Sequence, residues 1–169
     1  NTDYISLDSH IGNFASHNAG SIACWFRSST TGNYQYLITA SDKSDATSDI
    51  NLGIDNNEKV ILLVRPEGAE QVRCTSASTY TDGLWHYAVG TQNGTTSKLY
   101  VDGVLEADTD SGEWFNEIGD LDTLRIGNRE DDGGNQYHFD GHICNVGIWS
   151  AALTQAQIKS IMWKSYTDL

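Results

Sequence analysis

Residues 84–108 read LWHYAVGTQNGTTSKLYVDGVLEAD, and their reading decides the class of fold. Three β-type runs follow one another here, at 84–91, 97–102 and 104–108. Between the second and third lies Asp102-Gly103. That dipeptide suits a two-residue hairpin turn, because both central residues of the turn need positive φ. Asn93-Gly94 gives the same signal, with a slightly longer loop, between the first two runs. Connections this short join antiparallel neighbours, whereas a parallel pair needs a crossover of a dozen or more residues.

Working outward, eight more runs of this kind occur, at 2–7, 20–28, 34–41, 49–54, 59–65, 70–75, 122–127 and 142–149. Turn residues separate them, among them Asp55-Asn56-Asn57. Eleven strand candidates in 169 residues are too many for one open sheet. Two stacked antiparallel sheets or a barrel would bury one face of each, so an all-β class is expected. One short C-terminal helix is predicted as well. Thr154 and Gln157 form a capping box, and Ile158, Ile161, Met162 and Ser165 recur at helical spacing behind it.

Composition agrees. The chain has 16 glycines, one proline and 38% hydrophobic residues, and its length predicts a single domain over 1–169. No apolar run approaches the roughly 20 residues that span a bilayer, so membrane insertion is not expected. The opening NTDYISL has neither a basic n-region nor an apolar h-region, so it reads as a mature or excised domain or as one not exported by that route. A net charge of −13 argues against nucleic acid, which needs a basic patch to displace its counterions. The same charge keeps the surface soluble, favours cations, and suits neutral hydroxyl-rich ligands held by carboxylates. Cys24, Cys74 and Cys144 are odd in number and form no CxxC, which disfavours zinc. Cys24 and Cys144 are buried thiols or one disulfide.

Between Asp102 and Asp140 lie 12 of the 23 acidic residues and two bases, Arg125 and Arg129. Glu130–Asn135, EDDGGN, reads as a loop, and loops at the rim of a sandwich collect binding groups. Trp114, in SGEWFNEIGD, is the leading stacking candidate: a sugar ring could pack on its face while Glu113 accepts hydroxyl protons. Tyr137 and Asn135 join it as ligand-binding candidates, with Tyr34 and Tyr36 weaker. Trp85, by contrast, is expected to fill the core from a central strand, as are Tyr100 and Trp149. Calcium is the ion this composition suits, with Asp131, Asp132, Asn135 and Asp140 as candidate ligands. His138 and His142, four apart in an extended segment, would stand about 13 Å from each other, too far for one ion.

The segments LWHYAV, LYVDG, TLRIG and FDGHICNVGIWSAALTQAQI resemble, in this order, the signature of laminin G-like domains; DYISL and SIACWF resemble their first core strands. The resemblance implies the concanavalin A-like lectin/glucanase superfamily, a jelly roll of two antiparallel sheets. It also implies a lectin-like or adhesion module outside the cell or on a virion, of the kind found in bacterial surface and phage structural proteins, with calcium at the sandwich edge. Cys144 stands where the family carries Asp, which bears on such an ion site. Glycosidases of this superfamily place carboxylates as E-x-D-x-x-E on one strand. The nearest string, EWFNEIGDLD at 113–122, lacks that spacing, and no G-x-S-x-G elbow occurs.

The function expected from the sequence is therefore non-catalytic binding of a glycan or cell-surface polysaccharide through rim loops. The alternatives are a structural module that contacts a protein partner or forms a homo-oligomer, and a glycoside hydrolase or polysaccharide lyase.

Overall fold

The computed structural model describes residues 3–68 and 70–164. In chain order the strands are β1 (Ile5–Ser6), β2 (Gly20–Arg27), β3 (Gln35–Ser41), β4 (Asp49–Ile54), β5 (Lys59–Arg65), β6 (Val72–Thr79) and β7 (His86–Gln92). There follow β8 (Ser97–Val101), β9 (Val104–Thr109), β10 (Thr123–Ile126), β11 (Arg129–Asp131), β12 (Gly134–Gln136) and β13 (His142–Trp149), and one helix, α1 (Gln155–Ile161). One sheet has the order β1-β10-β3-β4-β5-β6 and the other β13-β2-β7-β8-β9, while β11 and β12 pair only with each other. All pairings are antiparallel. The all-β, two-sheet sandwich with one short C-terminal helix is what the structure shows, and each of the eleven expected runs overlaps a strand.

Alternation builds the core between the sheets. Ile50, Leu52 and Ile54 of β4 and Val60, Leu62 and Val64 of β5 meet Ile22, Cys24 and Phe26 of β2 and Ala88 of β7. Each Val, Leu, Ile or Phe side chain among them contributes about 1.5–3 kcal/mol by leaving water. The intervening residues of β2, Ala23 and Trp25, face the opposite way. With Tyr87, Val89, Tyr100, Ile158 and Met162 they form a second cluster beneath α1. β2 is buried along almost its whole length because both of its faces are covered. The capping box at Thr154 is present, and Trp25 Nε1 donates to the Met162 carbonyl at 2.8 Å, tying the end of the helix to the sheet. Ser165, the fourth member of the helical series, lies outside the described residues.

Two expectations change here. Trp85 does not fill the core. Its alternation partners Tyr87 and Val89 face away from the other sheet, and Trp85 itself is 41% exposed. Ala88 and Gly90 face inward instead, and a Cβ on Gly90 would lie 2.7 Å from Leu62. Tyr100 is buried, but under the helix rather than between the sheets. Cys24, Cys74 and Cys144 are free thiols. Cys24 points into the inter-sheet core, while Cys144 stands opposite Trp25, which places it on the other face of the same sheet.

Candidate functional site

The face of the six-stranded sheet that points away from the core is polar, and register assembles it. β4 against β5 sets Asp49 opposite Arg65 and Asn51 opposite Leu63; β5 against β6 sets Leu63 opposite Arg73. Tyr36 of β3 stands opposite Gly53 of β4, beside a bulge. A Cβ on Gly53 would come within 2.5 Å of both the Gln35 carbonyl and the Tyr36 ring, so glycine is what lets Tyr36 approach β4 this closely.

Across this face lies the β11–β12 hairpin, where a loop was expected. Its strands have three residues each and no apolar side, because they pack on hydroxyls. Thr39 Oγ1 donates to the Asn128 carbonyl at 2.9 Å, and Ser41 Oγ donates to the Glu130 carbonyl. The Asp131 carboxylate accepts from the Gly133 amide at 3.0 Å and so closes the turn.

The hairpin brings Arg129 over β4. Its Nη1 sits 2.8 Å from Asp49 Oδ2, its Nη2 bonds Asp131, and its guanidinium lies 5.3 Å from the centre of the Tyr137 ring. Arg65 Nε donates to Asp49 Oδ1 at 2.9 Å, and its Nη2 bonds Asp49 Oδ2. Arg73 holds Glu70 with two bonds of 2.8 and 3.0 Å. The side-chain bond to Asp49 raises the pKa of Arg65 against the opposing effect of burial, and the bond to Glu70 does the same for Arg73. Tyr36 and Tyr137 stand with ring centres 5.2 Å apart, and Tyr34 is 6.2 Å from Tyr137. Burial, reinforced by the charge of Asp49, pushes the Tyr36 phenol up to about 12, so it stays a neutral donor near pH 7. The three arginines, the three tyrosines, Glu70 and Leu63 line a small cleft of about 160 Å³.

A guanidinium has five N–H donors in a planar fork. Asp49 and the Ala46 carbonyl take three from Arg65, and Glu70 takes two from Arg73. The carboxylates thus fix the orientation of the forks without using all of their donors. Such an arrangement can grip a planar anion such as a carboxylate, while the tyrosine rings and Leu63 offer apolar faces to a ring-shaped body. Beneath it, Asn51 is fully buried with neither side-chain polar atom partnered, and Arg129 Nε is likewise unpaired. Each such orphan costs roughly 1–3 kcal/mol.

Most of the residues expected to bind ligand or metal are placed otherwise. Trp114 is 1% exposed and packs in the inter-sheet core against Phe115, so it offers no face to a sugar. Glu113 belongs to the same end of the sandwich, where its carbonyl accepts from Gln92. Tyr137 does line the cleft. Asn135 is an exposed residue of β12 within the hairpin, and its Oδ1 accepts from Asn128 at 2.8 Å. The four calcium candidates do not converge. Asp131 is the counterion of Arg129, Asp132 is exposed on the turn, Asn135 is committed to Asn128 and Arg125, and Asp140 accepts from Thr30 Oγ1 at 2.9 Å. Among the described residues no group of three or more His, Cys, Asp or Glu is arranged to hold a metal ion. A dication at Asp131 would compete with a guanidinium already seated there, so these residues do not fit the calcium site expected of them.

Reading the sequence for acids passed over Arg65 and Arg73. A usable signal existed. Folding the chain about residue 57, in the loop between β4 and β5, sets residue 49 opposite residue 65, which pairs an Asp with an Arg on one face.

A family model described as the concanavalin A-like lectin/glucanases superfamily matches residues 1–159. Comparison with curated proteins gives no match. Among solved structures, the CBM40 module of the Ruminococcus gnavus IT-sialidase, bound to alpha2,3 sialyllactose, superposes with a TM-score of 0.85 at 15% identity, covering 95% of this chain and 92% of that one. The leech intramolecular trans-sialidase superposes at 0.80 and 17% identity, over 96% of this chain but 26% of the enzyme. A heptameric SAP-like pentraxin from Limulus polyphemus follows at 0.66 and 14% identity, over 86% of this chain and 70% of the other. At these identities the likeness is one of fold.

Proposed function

The chain belongs to the concanavalin A-like lectin/glucanases superfamily, and from that premise we propose that it is a non-catalytic carbohydrate-binding module whose ligand is a sugar bearing a carboxylate. The observation that carries this reading is the convergence of Arg65, Arg73 and Arg129 with Tyr34, Tyr36 and Tyr137 on the outer face of the six-stranded sheet. The chain has ten basic residues in all, so three around one cleft is a marked concentration. An acidic sugar would place its carboxylate on the donors left by Asp49 and Glu70 and its ring against tyrosine. A structural neighbour with sialyllactose bound supports the choice of an acidic sugar.

The state of the acids in and beside the cleft supports binding without turnover. Glycoside hydrolysis needs one carboxyl group as proton donor and another as base or nucleophile. Here both Asp49 and Glu70 are committed to arginines. The module would serve outside the cell, where acidic glycans are displayed.

Titration calorimetry with the methyl glycoside of sialic acid tests this. We expect saturable one-site binding that Arg73→Ala abolishes or weakens about 10–100-fold, the worth of one charge-assisted contact. No binding by the folded wild type would reject the reading. A second reading, contact with a protein, is favoured by Trp85 and Trp163, which are 41% and 76% exposed and line one surface with Trp25 of the other sheet. Self-association in sedimentation velocity that Trp163→Ser removes would support it.

A further inference from the structure

Next to the arginine cleft lies a second and larger one of about 560 Å³, and the two share Tyr34 and Tyr137. Its chemistry differs. Asn33, Asn56, His138 and Asp140 line it, and among its described lining there is no Lys or Arg. The floor is held by a hydrogen-bonded ring. Thr30 Oγ1 donates to Asp140 Oδ2 at 2.9 Å, the Asp140 amide donates to Gln35 Oε1 at 3.0 Å, and Gln35 Nε2 donates to the Thr30 carbonyl at 3.1 Å. Ser28 Oγ adds a bond of 2.8 Å to the Asp140 carbonyl. Asp140 is thereby fixed as part of a wall. Asn56 accepts from Asn57 through Oδ1, which leaves its NH2 group to donate elsewhere. His138 Nδ1 is shielded from solvent and has no partner.

The shielded Nδ1 is closed to a ligand, but the rest of the His138 imidazole lines the cleft and can meet a hydroxyl. Two carboxamides, an imidazole and one carboxylate offer both donors and acceptors, which is what hydroxyl groups need, since each hydroxyl donates once and accepts twice. The single carboxylate would repel a second anion. The tyrosines form the border between a cationic cleft and a neutral, polar one.

We infer that this cleft is a second subsite, which takes a neutral, hydroxyl-rich sugar unit joined to the acidic sugar in the arginine cleft. The inference rests on the function proposed above and deepens it. The module reads an acidic sugar together with its neighbour, and Asn56 and His138 decide the preference for the linked form over the free one. Tyr34 and Tyr137 serve both units, one from each side.

The test is calorimetric, on the described protein and on the Asn56→Ala and His138→Leu variants, each checked for an unchanged thermal midpoint. The probes are the methyl glycoside of sialic acid and 3'-sialyllactose. We expect wild type to bind the trisaccharide about 3–10-fold more tightly, the worth of one net hydrogen bond. Either variant should reduce that preference while leaving the methyl glycoside unchanged. Equal wild-type affinities, or variants that weaken both probes alike, would overturn the second subsite and leave the arginine cleft standing. Failure of wild type to bind either probe would overturn both.

Discussion

Arg129 is 3% exposed and faces Asp49 and Asp131, themselves buried. Removing one partner of a buried ion pair leaves charge without compensation, at a cost of about 3–5 kcal/mol. Arg129→Met should therefore lower the urea midpoint by that equivalent, and a loss under 1 kcal/mol would contradict the account. Arg73 differs, because its pair with Glu70 is half exposed and spaced i, i+3. Arg73→Ala should change stability by less than about 1 kcal/mol, so its effect on binding can be read cleanly. A third residue predicts a pH dependence. His86 lies between Asp102, 2.8 Å from Nδ1, and Asp82, 3.1 Å from Nε2. Burial opposes its protonation, but the two carboxylates outweigh burial and raise its pKa above 6.5. A raised folded-state pKa gives stability that is full below the unfolded pKa and fades as pH rises through the folded one. The stability difference between wild type and His86→Gln should therefore shrink as pH rises above about 6.5, and a constant difference would sink the assignment. None of these pairings was legible from residue types alone. The neighbouring pair of Asp49 with Arg65 is different, since hairpin arithmetic about residue 57 could have found it.

At the scale of elements, long strands announce themselves by apolar runs with turn residues between them, and α1 by its capping box. The β11–β12 hairpin was hidden because its partners on β3 are Thr39 and Ser41, so its own inward side carries no hydrophobic signal. Trp114 misled for the converse reason. A tryptophan set among acids reads as exposed, yet the chain closes one end of the sandwich over it, which local pattern does not record. Trp114→Ala should then cost about 3–5 kcal/mol, as for other large core aromatics, and leave sugar affinity intact in the fraction that folds. Gly53→Ala probes the seat of Tyr36. Crowding Tyr36 and the Gln35 carbonyl should cost about 1–3 kcal/mol and weaken sugar binding as well, because the displaced ring lines the cleft.

For the whole molecule, a net charge of −13 pointed to cations and to neutral sugars held by carboxylates. The average concealed a local concentration, since Arg65, Arg73 and Arg129 come from three separate strands or their flanks and meet only after the hairpin folds over the sheet. The fold class was legible because it is a sum of many repeated local signals. The cleft was not, because it depends on one long-range packing event. Thermal denaturation in millimolar calcium or in chelator should give the same midpoint, since Asp131 already holds Arg129; a calcium-dependent rise of several degrees would show an ion site elsewhere. The central claim is that ligand meets the sheet face and not the acidic rim. Amide chemical-shift mapping during titration with the methyl glycoside of sialic acid tests it directly. The account predicts saturable shifts clustered on Tyr36, Arg65, Arg73, Arg129 and Tyr137, whereas shifts centred on residues 110–120, or none at saturation, would contradict it.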